Sequence, residues 1–268
     1  MFPELISIGP LAIHTYGLMV ALGILAGVGL AEYLHRSSGG EAGRVVDMAL
    51  IVVICGLIGA RILFILINFR YYASNPMETI MMWKGGLVFY GGLLGGILAL
   101  LGCIRFYRLP LWPMLDIGAA AIALGHAMGR LGCFTAGCCY GRLSDLPWAV
   151  TFTDPRSLAV EVLNHPVHPT QLYSFLFLMG LTGFLVWLHP RKKFPGQGAA
   201  AYLILYGLFR FSVEFLRSDP RGAWSLMNTT LATSQWISLV AVAAGVVIYV
   251  LLARKNREGE IKAVTRDQ

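Results

Sequence analysis

The sequence predicts an all-α polytopic membrane protein, a bundle of about seven transmembrane helices with an external loop cap. Three observations predict it. The 268-residue chain is 57% hydrophobic and only 13% charged, too apolar for a water-soluble domain of that length. Apolar runs of membrane-spanning length recur from end to end. These runs are continuous and lack the period-two alternation of an outer-membrane barrel.

The spans fall at roughly 12–34, 46–68, 87–107, 113–133, 171–189, 198–216 and 236–253. No basic region precedes the first and no small-residue cleavage site ends it, so it is expected to stay and span. The second carries Arg61. The third holds Gly91, Gly92, Gly95 and Gly96, and the fourth Gly118, Gly125, Gly129 and Gly132. Small residues of this kind let helices approach closely in lipid. The connector of about 134–170 is long and proline-spaced, which argues against continuous helix. Within it, Trp148 to Phe152 reads as a short strand. The sixth span carries Arg210 and Glu214, and 217–235 is a second candidate for the cap. Residues 1–253 are expected to form one transmembrane domain, and 254–268 a polar cytoplasmic tail that frays.

Twelve of the 21 Lys and Arg residues lie in the loops near 35–45, 105–112 and 190–197 and in the tail, against six on the other side. The positive-inside rule places the N-terminus outside and the C-terminus in the cytoplasm. These anchors account for the net charge of +7. They are scattered over loops and form no stripe, so no nucleic-acid partner is expected.

The remaining three basic residues, Arg61, Arg130 and Arg210, fall within spans. A charge at membrane depth is costly unless paired or hydrated. Glu214 stands four residues after Arg210, on the same helix face, with Arg217 one turn further out. Cations outnumber acids in the spans, apart from Asp47 and Asp116 near cytoplasmic ends. A surplus of positive charge inside a bundle asks for an anion, and in a membrane the abundant anion is a lipid phosphate, which the arginine fork suits. Tyr16, Gln171 and Tyr173 add hydrogen-bonding groups near the same external face. Gly91–Gly92, after Phe89–Tyr90, offers a bare backbone to a headgroup. His126, one turn before Arg130, reads as a helix–helix contact.

Three thiols, Cys133, Cys138 and Cys139, follow Arg130 in GRLGCFTAGCCYGR. A disulfide would join Cys133 to one of the others, because a vicinal bond is strained. A metal is not expected, since C-x4-C-C departs from the usual zinc spacings. A nucleophilic thiolate activated by nearby arginines is the chemical reading. Packing of small apolar side chains is the plain one, and it serves for Cys55 and Cys103.

YGLM at Tyr16–Met19, GARILFIL at Gly59–Leu66, GGLVFYGGLLGG at Gly85–Gly96, GRLGCFTAGCCYGR at Gly129–Arg142, HPTQLYS at His168–Ser174 and RFSVEFLRSD at Arg210–Asp219 occur in register over nearly the whole chain. Together they resemble the prolipoprotein diacylglyceryl transferase family. The resemblance implies a seven-span enzyme of the bacterial inner membrane that needs no cofactor and acts in the first step of lipoprotein maturation. It moves the diacylglyceryl group of phosphatidylglycerol to the thiol of the lipobox cysteine in a prolipoprotein signal peptide, and glycerol phosphate leaves. It implies that Arg130 and Arg210 hold the phosphate, that Glu214 orients Arg210 or the headgroup, and that Tyr16 contacts lipid. The chain departs from the family's GRxGNFxNGExxG at Cys133, Ala136 and Cys138. It also departs from HGG, where Tyr90 stands in for a histidine that the family resemblance makes important for activity and is thereby a catalytic candidate, and from QLYE at Ser174. A phenol in place of an imidazole is a poor base at neutral pH. The departures leave open a paralogue with another acceptor, acting through a covalent step on Cys138, and a non-catalytic lipid-binding bundle.

Overall fold

The computed structural model describes residues 4–8, 11–81, 85–218 and 231–266. Seven of its helices are long and apolar enough to cross a membrane. They are α1 (Thr15–Ser37), α2 (Arg44–Ile67), α4 (Phe89–Phe106), α5 (Leu111–Ala136), α6 (Thr170–Leu188), α7 (Gln197–Val213) and α8 (Thr233–Arg266), with a short α3 (Phe69–Ser74) between α2 and α4. Large apolar side chains such as Leu25, Phe106 and Val240 are exposed, as the hydrocarbon-facing side of a multi-pass membrane protein requires.

The structure differs from the sequence reading at both ends. Residues 12–14 belong to an antiparallel hairpin, β1 (Glu4–Ile8) and β2 (Leu11–His14), not to the first span. Apolar residues of a short strand cannot be told from the first turn of a helix by hydropathy. The tail does not fray at Arg254: α8 continues to Arg266, because its Lys, Arg and Glu residues are good helix formers. Most of the candidate cap at 217–235, including Asp219, Pro220, Arg221 and Trp224, lies outside the described residues.

The chain divides into two compact units, residues 35–114 and residues 1–34 with 115–268. In the smaller, α2 and α4 pack through glycine. A Cβ on Gly91 would lie 2.3 Å from the Gly59 carbonyl oxygen, and one on Gly95 2.5 Å from that of Cys55. Close packing against α2 therefore accounts for Gly91, whereas Gly92 has ordinary contact distances. Arg61 is buried beside this contact, and all five of its N–H donors go to backbone. Nε–H donates to Thr79 O at 3.0 Å, Nη1 to Gly85 O and Gly86 O at 2.8 and 3.2 Å, and Nη2 to Glu78 O and Met81 O. The rings of Phe64 and Tyr72 flank the guanidinium at 5.8 and 5.2 Å. The expectation that Arg61 belongs to a surplus seeking an anion is thereby corrected. Its counter-charge is a ring of carbonyl dipoles, from Glu78, Thr79 and Met81 on one side and Gly85 and Gly86 on the other.

In the larger unit, α1 packs antiparallel on α5. A Cβ on Gly23 would meet the Gly125 carbonyl oxygen at 2.8 Å, and one on Gly27 that of Ala121 at 2.9 Å. Ala119, Ala120, Ala123 and Ala127 keep α5 slim and are buried. Phe177 of α6 stacks on Phe209 of α7 at 4.1 Å. Near the start of α5, buried Asp116 reaches the start of α7. Its carboxylate accepts from the backbone N–H of Gly196 and of Ala199, both at 3.0 Å, and from Lys192 Nζ at 2.9 Å. Ala199 is the third residue of α7, so a side chain from another helix does the work of an N-cap. The connector after α5 folds over a small core of Tyr140, Phe152, Ala159 and Val167. There β3 (Val150–Thr151) pairs with β4 (Pro166–Val167), within the stretch read as a strand.

Asp116→Ala should destabilise the protein by about 2–4 kcal/mol, since it uncaps α7 and strands a partly buried ammonium. Thermal unfolding in detergent measures this. An unchanged midpoint would show that α7 keeps its place without the cap.

Candidate active site

α5 and α7 run in the same direction, because they meet at Asp116 with Gly196 and again at His126 with Tyr206. The rings of His126 and Tyr206 stand edge to face at 5.2 Å. One turn further along each helix come Arg130 and Arg210. Arg130 Nε–H donates to His126 Nε2 at 3.1 Å. Arginine has only donors, so that ring nitrogen is bare and the imidazole proton sits on Nδ1. His126 lies within the fields of both Arg130 and Arg210. Arg210 Nη1 pairs with Glu214 at 2.5 Å, and both side chains are about nine-tenths buried (12% and 9% exposed). Arg130, Arg210 and Glu214 thus lie at one end of the paired α5 and α7, with His126 bonded to Arg130 and in the field of Arg210.

The thiols come next on the same face, Cys133 being three residues beyond Arg130. α5 ends in a Schellman motif. Gly137 has φ +78°, its N–H donates to Phe134 O at 3.3 Å, and the Cys138 N–H donates to Cys133 O at 3.1 Å. In this motif the residue after the left-handed glycine folds back on the one five positions earlier, so Cys138 meets Cys133. Cys139 is also left-handed, with φ +64°, and turns its thiol to the same point. All three sulfurs lie within 4.8 Å of one another and none is in a disulfide.

Two buried side chains from the start of α6 fasten this turn. Gln171 Nε2 donates to Cys138 O and Thr170 Oγ1 to Cys139 O, both at 2.7 Å. Arg217, also buried, is held by a backbone bridge to Gly141, where a Cβ would meet the Leu216 carbonyl oxygen at 2.7 Å. Hydrogen bonds from the Cys133 and Cys138 thiols, then Arg217, hold the Cys139 thiol below its ordinary value, against the effect of burial. Tyr16 packs on Gly132 and lies within the fields of all three thiols and of Arg130. Tyr173 accepts from Trp148 Nε1 at 2.8 Å and meets His168 Nδ1 at 3.3 Å, tying the connector to α6. Tyr90, Gly91 and Gly92 belong to the smaller unit. There Tyr90 is half-exposed in the first turn of α4, edge-on to Phe89.

Sequence reasoning named His126 only as a packing residue and missed Asp116 and Thr170. The i,i+4 spacing of His126 and Arg130 was the available signal for the first. The other two act across elements remote in sequence.

The family model described as prolipoprotein diacylglyceryl transferase matches residues 3–251. The phosphatidylglycerol–prolipoprotein diacylglyceryl transferase of Clostridium tetani is 36% identical over 249 residues, covering 93% of this chain and 97% of that one. Its namesake from Bordetella avium is 38% identical over 260 residues, covering 95% and 96%. That of Synechococcus elongatus is 35% identical over 250 residues, covering 91% and 85%.

Gly137→Ala places a methyl group 1.9 Å from Ser157 Oγ at a left-handed φ. It should cost about 2 kcal/mol or more and disturb the thiol turn. Gly118→Ala, with open space at its Cβ, should be neutral or stabilise by up to about 1 kcal/mol. Paired melting curves test the contrast, and equal midpoints would remove the Schellman turn as a constraint.

Proposed function

The chain belongs to the prolipoprotein diacylglyceryl transferase family, and from that membership we propose how its site works. The protein transfers the diacylglyceryl group of phosphatidylglycerol to the thiol of the lipobox cysteine in a prolipoprotein signal peptide, and glycerol phosphate leaves. The observation that carries this reading is the convergence of Arg130 and Arg210 on His126, on two parallel helices. His126 takes the Nε–H of Arg130, which directs the two terminal nitrogens to a ligand. Glu214 fixes Arg210. Two guanidinium groups then face one phosphodiester.

The diester carries one negative charge, and the departing phosphate monoester gains a second as the C–O bond breaks. Arginines already in place favour the transition state over the ground state, because the charge they stabilise grows along the reaction. The excess of Lys and Arg in one set of loops supports a site open to the outer leaflet of the inner membrane, where a secreted prolipoprotein presents its cysteine. Tyr16, on the α1 face against Gly132, is placed to contact lipid beside Arg130. The acceptor thiol must also lose its proton.

Expression in cells depleted of their own transferase, with mass spectrometry of a model prolipoprotein, tests the proposal. The lipobox cysteine should gain the mass of a diacylglyceryl group. Arg130→Ala and Arg210→Ala should each lower the rate by roughly 100-fold or more. Arg130→Lys should recover little of it, since an ammonium cannot reproduce the fork. No modification by a well-inserted protein would overturn the reading.

A further inference from the structure

The phosphate chemistry leaves the three-thiol cluster unused. We propose that Cys133, Cys138 and Cys139 bind one Zn2+ as a trithiolate whose fourth position is open to the acceptor thiol. The identity of that fourth ligand rests on the transferase reading above, whereas the metal site does not.

The Schellman turn explains why two sulfurs meet, since contact between those positions is a habit of the motif. It does not explain the third. Cys139 joins them through a left-handed backbone that a non-glycine residue rarely adopts, and Thr170 and Gln171 hold that backbone by the two adjoining carbonyls. The loop is braced where it aims three thiols at one point. A tetrahedral site with bonds near 2.3 Å needs sulfurs about 3.8 Å apart. Three sulfurs already within 4.8 Å of one another reach that with small side-chain movement.

The donor set chooses the ion. Among the described residues the donor set is three sulfurs with no carboxylate oxygen, which suits a thiophilic cation and not Mg2+ or Ca2+. Three protein ligands with an open position form the arrangement of zinc sites that act on a substrate. A zinc trithiolate carries one net negative charge. Arg217, hydrogen-bonded to the Cys139 sulfur, balances it and fills the role of an outer-sphere donor.

An acceptor thiol that takes the fourth position becomes a thiolate, and its proton passes to water. The metal-bound sulfur attacks the glyceryl carbon of the lipid. A C–S bond forms, the C–O bond to phosphorus breaks, and the electron pair leaves with the glycerol phosphate. No oxidant or further reactant is consumed. Cys133 stands one turn from Arg130, so the two substrates meet on consecutive turns of α5. This assigns the deprotonation of the acceptor to the metal site.

The test uses the full-length protein in lipid nanodiscs, incubated with ZnCl2 and desalted. Elemental analysis should find about one zinc per chain. Cys138→Ser and Cys139→Ser should lose it, and Cys55→Ser should keep it. In the unmutated protein, iodoacetamide should label the cluster only after chelation. Labelling of all three thiols without a chelator, or protection relieved by a reductant and not by a chelator, would overturn the site, the second by revealing a disulfide. Chelation should cut diacylglyceryl transfer at least tenfold while phosphatidylglycerol binding persists, and Zn2+ should restore it. With Co2+ in the site, a cysteine-containing lipobox peptide should shift the thiolate-to-cobalt absorption, and its serine analogue should not. Bound zinc with transfer indifferent to chelation, or bound Cu+ in its place, would overturn the acceptor role. Zinc at one per chain with no transfer under any condition would overturn the transferase reading and leave the metal site standing.

Discussion

The carboxylate of Asp116 fixes the register of the two helices that carry the charged site. It belongs to α5 and caps α7, so the two helices start from a common level and rise together. Asp116 to Arg130 is fourteen residues, and Gly196 to Arg210 is fourteen residues. At a rise of about 1.5 Å per residue both arginines stand ~21 Å above the cap. The contact of His126 with Tyr206, ten residues up each helix, shows the register holding on the way. A shift of one residue between the helices would turn Arg210 by about 100° away from Arg130. The cap is an ionic interaction buried at one end of the bundle, and its consequence is felt at the other.

Membrane-depth arginines are expensive, and this chain meets the cost in two ways. Arg61 gives every donor to the carbonyls of Glu78, Thr79, Met81, Gly85 and Gly86, so its charge is spread over backbone dipoles. Arg130 gives one donor to a neutral imidazole, and Arg210 gives Nη1 to a carboxylate. Among the described residues, these contacts pair two guanidinium groups with one neutral acceptor and one acid. In the proposed reaction the phosphodiester would supply the further negative charge. The difference between a structural and a ligand-binding arginine therefore lies in how much of its charge the protein itself answers.

The spans were legible because hydropathy alone sets the length of a membrane helix. Arg130, Arg210 and Glu214 were legible because a charge in such a span is conspicuous. The fate of Arg61 was not, since its partners are carbonyls, which every residue has. The hairpin before Thr15 was hidden by its apolar side chains. The role of Asp116 was hidden because an N-cap is sought just before its own helix, and this one comes from a different helix. The thiol cluster was half legible. Alanine–glycine at 136–137 marks a helix end, and a Schellman end folds the next residue back on Cys133. The left-handed turn at Cys139 depends on Thr170 and Gln171, which no local pattern connects to it.

The last two turns of α5 set the order of events at the site. Arg130 and Cys133 share a face three residues apart, about 4.5 Å along the axis. Whatever phosphate Arg130 holds is therefore within reach of whatever the thiol turn holds. The helix cannot lengthen that separation, and Gly137 ends it before another turn can intervene. The chain beyond Gly137 reverses and is tied down by α6, so the sulfurs of Cys138 and Cys139 are set by tertiary hydrogen bonds and not by helical repeat. A change at Thr170 or Gln171 would loosen the thiols and leave Arg130 where it is. A change at Asp116 would move the second arginine and leave the thiols alone. The two halves of the site are thus built on one helix but adjusted by separate contacts, so under the proposed reading the acceptor side can change while the phosphate side is kept.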